Sequence, residues 1–419
     1  MSFETISVVG LGYIGLPTAA MFASRKKKVI GVDVNQHAVD TINRGEIHIV
    51  EPDLDMLVSA AVQQGYLKAV TTPESADAFL IAVPTPFKDC ANGEVPEPDL
   101  RYIESASKAI APVLKKGDLV ILESTSPVGA TEQMAVWLAE ARPDLTFPQT
   151  HGESADVNVA HCPERVLPGY VVTELVQNDR VIGGMSKRCS ERSVALYKTF
   201  VMGECVITNA RTAEMAKLTE NSCRDVQIAF ANELSMICDE LDIDVWELIS
   251  LANRHPRINI LQPGPGVGGH CIAVDPWFIV AKTPELAKLI KTARDVNDKK
   301  PTWVIDKVKI ALAEFLQANP TKTAQDITIA CYGLAFKPDI DDLRESPALD
   351  ITKAIAGFHS GQVLAIEPNI NSIGCENIKL VTIDESLTKT DIHVMLVDHH
   401  QFKKIKLNDS FVIDTKGIW

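Results

Sequence analysis

The chain reads as an α/β protein: two parallel-sheet domains joined by a long central helix. Three observations carry that reading. Short apolar runs alternate with helical stretches over the first two hundred residues. A long stretch from about Arg211 then keeps helical periodicity without proline or glycine, and the alternation resumes from about residue 315.

The runs "TISVVG", "KVIGVDV", "AFLIAVP", "DLVILES" and "DVNVAHC" are near-continuously apolar, as strands covered on both faces of a parallel sheet must be. Helical intervals between them imply βαβ units and a doubly wound sheet. "RTAEMAKLTENSCRDVQIAFANELSMICDEL" opens a helical region reaching Asn253, far longer than an average helix. Its exposed apolar face suits a second subunit, so a homodimer is expected. "PELAKLIKTARDVNDKKPTWVIDKVKIALAEFL" is helical again, and "DITIACYGLAF", "GQVLAIEPN", "DIHVMLVDH" and "SFVIDTKG" are strands of a smaller second sheet. The domain limits are placed at 1–205, 206–310 and 311–419.

Composition narrows the partners. Lys and Arg total 41 against 55 for Asp and Glu, a net charge of −14 that disfavours nucleic acid but leaves room for one phosphorylated ligand in a local basic pocket. No segment approaches the ~18–20 apolar residues of a membrane span, and "MSFETISVVGLG" lacks the basic start of a secretory signal. Nine scattered cysteines, none spaced as CxxC, argue against a disulfide framework or zinc site and for a cytoplasmic protein. His399 and His400 after Asp398 lack further ligands at useful spacing, so they read as a loop after a strand and no metal is expected.

"ISVVGLGYIGLP" sets Gly10, Gly12 and Gly15 in GxGxxG spacing between a strand and a helix, which makes the first domain Rossmann-like. The first glycine allows the turn, the second admits the pyrophosphate, and the third lets helix and strand pack. Anions are favoured at such a helix N-terminus. Asp33, ending "VIGVD", accepts hydrogen bonds from a ribose 2′-OH and repels a 2′-phosphate, pointing to NAD rather than NADP. The basic run Arg25–Lys28 is read as the last turn of the first helix.

"GPGVGGHCIAVDP" ends a glycine-rich loop on Cys271, with Asp275 four residues later. A buried structural cysteine needs no such loop; a nucleophile meeting a bulky substrate does. Three further stretches attract notice. "HCPERVLPG" places Glu164 and Arg165 after a strand. "EMAKLTENSCRD" aligns Lys217, Asn221 and Arg224 on one helix face. "GLAFKPDIDDLRESP" places Phe336, Lys337 and Arg344 after a C-terminal strand. Taken singly, each has an ordinary reading as a solvated face, a cap or a strand end.

Together, "GLGYIGLP", "VPTPF", "STSPVG", "CPER", "EMAKLTENS", "GPGVGGHCIAVDP" and "GLAFKPDIDDLRESP" resemble the UDP-glucose/GDP-mannose dehydrogenase family, in its order and over essentially the whole chain. The stretch "NRHPRINILQPGPGVGGHCIAVDPWF" is similar to bacterial members that act on UDP-N-acetylmannosamine for enterobacterial common antigen synthesis. The resemblance implies oxidation of a sugar C6 alcohol to a carboxylate with two NAD, through a thiohemiacetal and thioester on Cys271. It assigns Lys217 to proton transfer or oxyanion stabilisation, Asn221 to a water or the C6 oxygen, Glu164 to the hydrolytic water and Asp275 to acid–base assistance. Tyr13, Ile14, Thr85, Thr125 and Arg344 join the glycines and Asp33 as cofactor contacts. Arg165, Val166, Lys217, Asn221, Arg224, His255, Arg257, Gly268, Phe336, Lys337 and Lys416 become UDP-sugar contacts. The loop glycines are expected to bring backbone close to substrate, and the segment 89–98 is given no role.

Three alternatives compete. A one-step hydroxyacid dehydrogenase of the 6-phosphogluconate type shares the plan and a helix lysine and asparagine, but needs neither cysteine nor second sheet. An NAD-sensing regulator would have no use for thiol, lysine and glutamate together. Hexose-specific relatives differ around the cysteine.

Overall fold

The computed structural model describes residues 3–49, 51–88, 94–167, 169–269, 271–375, 377–407 and 411–419. The chain divides into two compact units, one of Met1–Glu220 with Trp277–Thr283 and one of Asn221–Pro276 with Pro284–Trp419.

The first unit holds eight strands: β1 (Thr5–Val9), β2 (Lys28–Val32), β3 (Leu67–Val70), β4 (Ala78–Ile81), β5 (Leu119–Leu122), β6 (Asn158–His161), β7 (Arg180–Gly184) and β8 (Cys205–Asn209), in the order β3-β2-β1-β4-β5-β6-β7-β8. Neighbours are parallel except β6 and β7, where Ala160 faces Gly184 and His161 faces Gly183 in antiparallel register. Apolar side chains bury both faces, with Ile6, Val8 and Leu80 in one core and Val9, Phe79 and Ile81 in the other. Strand order reverses at β1, whose Val9 pairs with Val32 and Ile81. In open α/β sheets that reversal leaves a crevice at the strands' carboxyl ends. The helix Gly15–Ser24 stops short of the basic run: Arg25 is its C-cap and Lys28 already starts β2.

Two corrections apply to the helical region predicted to reach Asn253. The central helix is Ala210–Glu240 and ends before Asp242, which takes a φ of 55°. Aspartate is among the residues that tolerate this left-handed backbone. Asp244 then caps a separate helix, Val245–Ala252, its Oδ1 accepting from the N–H groups of Trp246 and Glu247 at 2.8 and 3.1 Å.

The second unit carries β9 (Thr328–Tyr332), β10 (Gln362–Ile366), β11 (Lys379–Leu380), β12 (Ile392–Met395) and β13 (Phe411–Asp414), all parallel, in the order β11-β10-β9-β12-β13. Its order reverses between β9 and β12, and the predicted residues Phe336 and Lys337 follow β9.

A second long helix, Lys288–Ala318, runs through Pro301 and meets the central helix over a buried polar chain. Arg294 and Asp225, 1% and 0% exposed as side chains, pair at 2.6 Å, and Arg294 also reaches Asp298. Asn297 Nδ2 donates to Asp225 Oδ1 at 2.8 Å, and Asn232 Nδ2 donates to Asn297 Oδ1 at 2.9 Å. Asn232 Oδ1 accepts from Gly264 N–H at 2.9 Å, so the chain ends on the glycine-rich loop. Nearby, buried Lys300 donates to Ser235 Oγ at 2.6 Å and lies 3.6 Å from the Trp303 ring centre; burial brings it down to about 7.

Breaking a buried ion pair from one side leaves an uncompensated charge and costs about 3–5 kcal/mol. Arg294→Met should therefore lower the second unit's stability to urea by that amount. A loss below about 1 kcal/mol would show that Asp225 is satisfied without Arg294.

Candidate active site

The glycine turn after β1 has the shape of a dinucleotide cradle. Gly10 takes a φ of 90°, and a Cβ there would lie 2.6 Å from Ala82 O. A Cβ on Gly15 would lie 1.7 Å from Gly10 O, whereas one on Gly12 would meet nothing within 4 Å. Gly10 and Gly15 therefore serve the fold, and Gly12 leaves open space where a pyrophosphate approaches. The following helix has neither a side-chain cap nor an acidic residue in its first turn, which leaves its N-terminal field to an anion. Asp33 is fixed by two backbone donors, Leu11 N–H at 2.8 Å and Asn35 N–H at 2.9 Å. Thr85 Oγ1 is buried without a hydrogen-bond partner among the described residues. These features fit a dinucleotide.

Glu214 was not expected from the sequence. Buried on the central helix, it accepts from Gly129 N–H, Thr131 N–H and Thr131 Oγ at 2.7, 2.8 and 2.6 Å. It thereby holds the start of the helix Ala130–Ala141, five residues beyond Thr125.

After β6 the chain bears Glu164, buried in the first unit. Its Oε1 accepts from Arg165 N–H at 2.7 Å, and its Oε2 lies 2.6 Å from Arg180 Nη1. Arg165 turns elsewhere, to Glu220 at 2.7 Å and Asp179 O at 3.3 Å. Val166 packs on the unit's core. Beside the Arg180 pair, Tyr197 Oη donates to Glu123 Oε1 at 2.6 Å. Burial is the largest influence on Glu123 and raises its carboxyl to about 7; burial likewise pushes the Cys162 thiol up to about 12.

In the second unit, Cys271 is exposed and Asp275 is buried. Cys271 O accepts from Val274 and Asp275 N–H at 3.1 and 2.8 Å, so one helical turn links thiol and carboxylate as the spacing predicts. Asn221 Nδ2 donates to Asp275 Oδ2 at 2.5 Å, joining two of the predicted residues directly. Lys217 lies one turn earlier on the same helix, half-buried, and Arg224 is exposed on it.

Two glycines of the loop pack closely against protein. At Gly268 a Cβ would sit 2.3 Å from Glu345 O and 3.0 Å from Phe336 Cβ; at Gly266 it would press Pro347 and Pro301 at 3.0 and 3.1 Å. Their lack of a side chain is used against protein, clamping the thiol's loop to the segment after β9. Lys416 Nζ lies 3.7 Å from a Cβ built on Gly264 and 3.2 Å from Asp398, so it flanks the same loop.

Arg344 is gripped by Asp342 at 2.9 and 2.6 Å in the second unit. His255 and Arg257 are exposed beyond the helix Val245–Ala252. His399 lies in the loop after β12, as expected, and is fully buried there, its Nε2 2.8 Å from Glu367 Oε2. Glu367 also accepts from Leu334 and Ala335 N–H at 2.7 and 3.1 Å, supporting the segment that carries Phe336 and Lys337. Of segment 89–98, residues 89–93 lie outside the described ones, and Lys88 N–H bonds Glu97 O at 2.8 Å at its base.

Residues 4–201 match the UDP-glucose/GDP-mannose dehydrogenase family, NAD binding domain; residues 211–299 match its central domain and 330–419 its UDP binding domain. A UDP-N-acetyl-D-mannosamine dehydrogenase of Yersinia pestis is 69% identical over 100% of both chains. An NDP-N-acetyl-D-galactosaminuronic acid dehydrogenase of Ralstonia nicotianae is 62% identical over 100% of this chain and 97% of its own. Among solved structures, UDP-D-ManNAc dehydrogenase from Pyrococcus horikoshii superposes with a TM-score of 0.86 at 36% identity, covering 99% of this chain and 96% of that one.

Glu123 yields a stability prediction. Its folded value of about 7 lies above the ordinary 4.5, so the folded protein keeps a proton that the unfolded chain releases. The associated stability is complete below pH 4.5 and is lost as pH rises through 7. Between about pH 5 and pH 8 the parent should lose roughly 2–3 kcal/mol relative to Glu123→Gln, which carries no titrating proton. Urea unfolding of both proteins at the two pH values checks this; parallel curves would contradict it.

Proposed function

Because the chain belongs to the UDP-glucose/GDP-mannose dehydrogenase family, we propose that it oxidises the C6 alcohol of UDP-N-acetyl-D-mannosamine to UDP-N-acetyl-D-mannosaminuronate. The observation carrying this reading is the exposed Cys271 one turn before buried Asp275, which Asn221 holds at 2.5 Å. An exposed thiol at a clamped loop suits a reaction in which an aldehyde must gain a covalent partner before it is oxidised again.

NAD, held by the glycine turn after β1 and Asp33, would supply the hydride acceptor for each of the two oxidations. Lys217 and Asp275 share the acid–base work at the C6 oxygen, and Asn221 orients the group it faces. Cys271, as thiolate, adds to the aldehyde carbon to give a thiohemiacetal; oxidation of that adduct leaves a thioester. Glu164 takes a proton from water, the water oxygen adds to the thioester carbonyl, the carbon–sulfur bond breaks and the thiolate returns. Asp33 selects NAD over NADP, because a 2′-phosphate would meet its charge. Phe336 and Lys337, after β9 where the second sheet's order reverses, and Lys416, after β13, serve the uridine diphosphate.

The same reading makes the protein a cytoplasmic homodimer whose product feeds bacterial surface-polysaccharide synthesis, in the first place enterobacterial common antigen. Phe230, Ile237 and Leu241 form an exposed apolar face on and just beyond the central helix, as a subunit contact there requires. The Ralstonia relative favours a second sugar, a galacto-configured N-acetyl hexosamine.

Two measurements test the reading. The parent should form two NADH per UDP-sugar, and Cys271→Ser, which keeps the shape but loses the strong nucleophile, should stall at the second oxidation. Two NADH at parental rate in that variant would rule out the covalent route. For the sugar, kcat/KM should fall in the order UDP-N-acetylmannosamine, UDP-N-acetylglucosamine, UDP-glucose. Donors placed for an acetamido group are left unpaired by glucose, which costs orders of magnitude. UDP-N-acetylgalactosamine as best substrate would establish the second sugar; UDP-glucose as best would overturn the acetamido assignment.

A further inference from the structure

Behind Glu164 lies a cluster of buried groups that the reaction above does not use. The antiparallel pairing of β6 with β7 creates it. With His161 facing Gly183, extending the register by three residues sets Arg180 opposite Glu164. A parallel β7 would carry Arg180 away from that end of β6. The guanidinium, 2% exposed, is 2.6 Å from Glu164 Oε2 and stands 5.0 Å from the Tyr197 ring centre and 5.9 Å from that of Phe200. Tyr197 in turn holds Glu123 at 2.6 Å.

We propose that Arg180 is a positioning residue for Glu164, and that Glu123, anchored by Tyr197 in the same buried cluster, governs how much of the Arg180 charge Glu164 receives. The inference rests on the reading of Glu164 as the base for thioester hydrolysis. A buried carboxylate without a cation would take up a proton and cease to be a base. Arg180 supplies that cation and fixes one oxygen, while Arg165 N–H fixes the other at 2.7 Å.

The ionisable groups around Arg180 come from every neighbouring element: Glu123 after β5, Cys162 and Glu164 after β6, Tyr197 on the helix Lys187–Tyr197, and Cys205 on β8. Cys162 and Tyr197 stay protonated across the neutral range, their burial pushing both upward. Glu123 is the member that changes charge there, at about 7. While it is neutral, Arg180 serves Glu164 alone. Once ionised, it competes for the guanidinium, and Glu164 draws a proton from water more readily. Hydrolysis should then quicken as pH rises through about 7.

The test separates acylation from hydrolysis. Parent, Glu164→Gln, Arg180→Gln, Arg180→Lys and Glu123→Gln are mixed with UDP-N-acetylmannosamine and NAD from pH 5.5 to 9. Acylated Cys271 is then followed by intact-protein mass spectrometry beside NADH release. Arg180→Gln should accumulate the thioester with hydrolysis slowed by at least about tenfold and acylation changed less than about twofold, and Arg180→Lys should recover part of the rate. Glu123→Gln should acylate normally and lose the inflection near pH 7 in hydrolysis alone; it retains an oxygen for Tyr197 and carries the test if the Arg180 variants do not fold. Acylation falling in step with hydrolysis in Arg180→Gln, or an unchanged profile in Glu123→Gln, overturns the proposal. If Glu164→Gln itself leaves hydrolysis at the parental rate, the reading of Glu164 as the base fails and the inference with it. Accumulation in Glu164→Gln beside parental behaviour in the other variants defeats the inference alone.

Discussion

The hydrogen bond from Gly264 N–H to Asn232 Oδ1 decides where the loop of Cys271 begins. A loop rich in glycine has more backbone freedom to lose than any other, and its ordering needs fixed partners. Asn232 is such a partner because its own amide is committed to Asn297, and Asn297 to the Asp225–Arg294 pair. Each link is buried, where a polar group left unsatisfied costs more than a made bond contributes. Two long helices therefore meet in one register and set the loop's first residue, while Gly266 and Gly268 press its middle against Pro301, Pro347 and Glu345. The exposed thiol at the loop's end is held by structure on both sides.

The first unit solves a related problem with charge. Glu164 needs a water-accessible task and a buried support, and the support is a guanidinium 5.0 and 5.9 Å from the ring centres of Tyr197 and Phe200. Removing one partner of such a pair is costly, so the arrangement is rigid. Glu214 does for the helix Ala130–Ala141 what a local cap does elsewhere, from a distant helix. In both places a carboxylate satisfies backbone donors or a cation beside residues assigned to cofactor or catalysis. These supports explain why the central helix carries buried polar residues among its apolar ones.

Much of the architecture was legible because its signals are local. Fully buried parallel strands such as β1, β4 and β5 are short apolar runs, and the glycine turn after β1 is written in three residues. Strands β3, β7 and β8 escaped notice. β3 alternates buried and exposed residues over only four positions, and β8 is an edge strand with Val206 and Ile207 exposed. The helical region to Asn253 was read as continuous because neither glycine nor proline interrupts it; an aspartate in left-handed backbone does so instead.

The sequence by itself determined the dinucleotide turn, the placing of Cys271 one helical turn before Asp275, and the succession of two sheets with a long helix between them. Each depends on residues a few positions apart, where backbone preference and periodicity act directly. Only the tertiary structure decided that Arg180 supports Glu164, that Glu214 holds the helix beyond Thr125, that Asn232 anchors the glycine loop, and that Gly266 and Gly268 pack against protein. Those partners are 16 to 85 residues apart in the chain, joined by an antiparallel strand reversal and by helix register. Residue type announces that such a charge or amide needs a partner when buried. Which partner it receives is fixed only when the backbone has brought the two together.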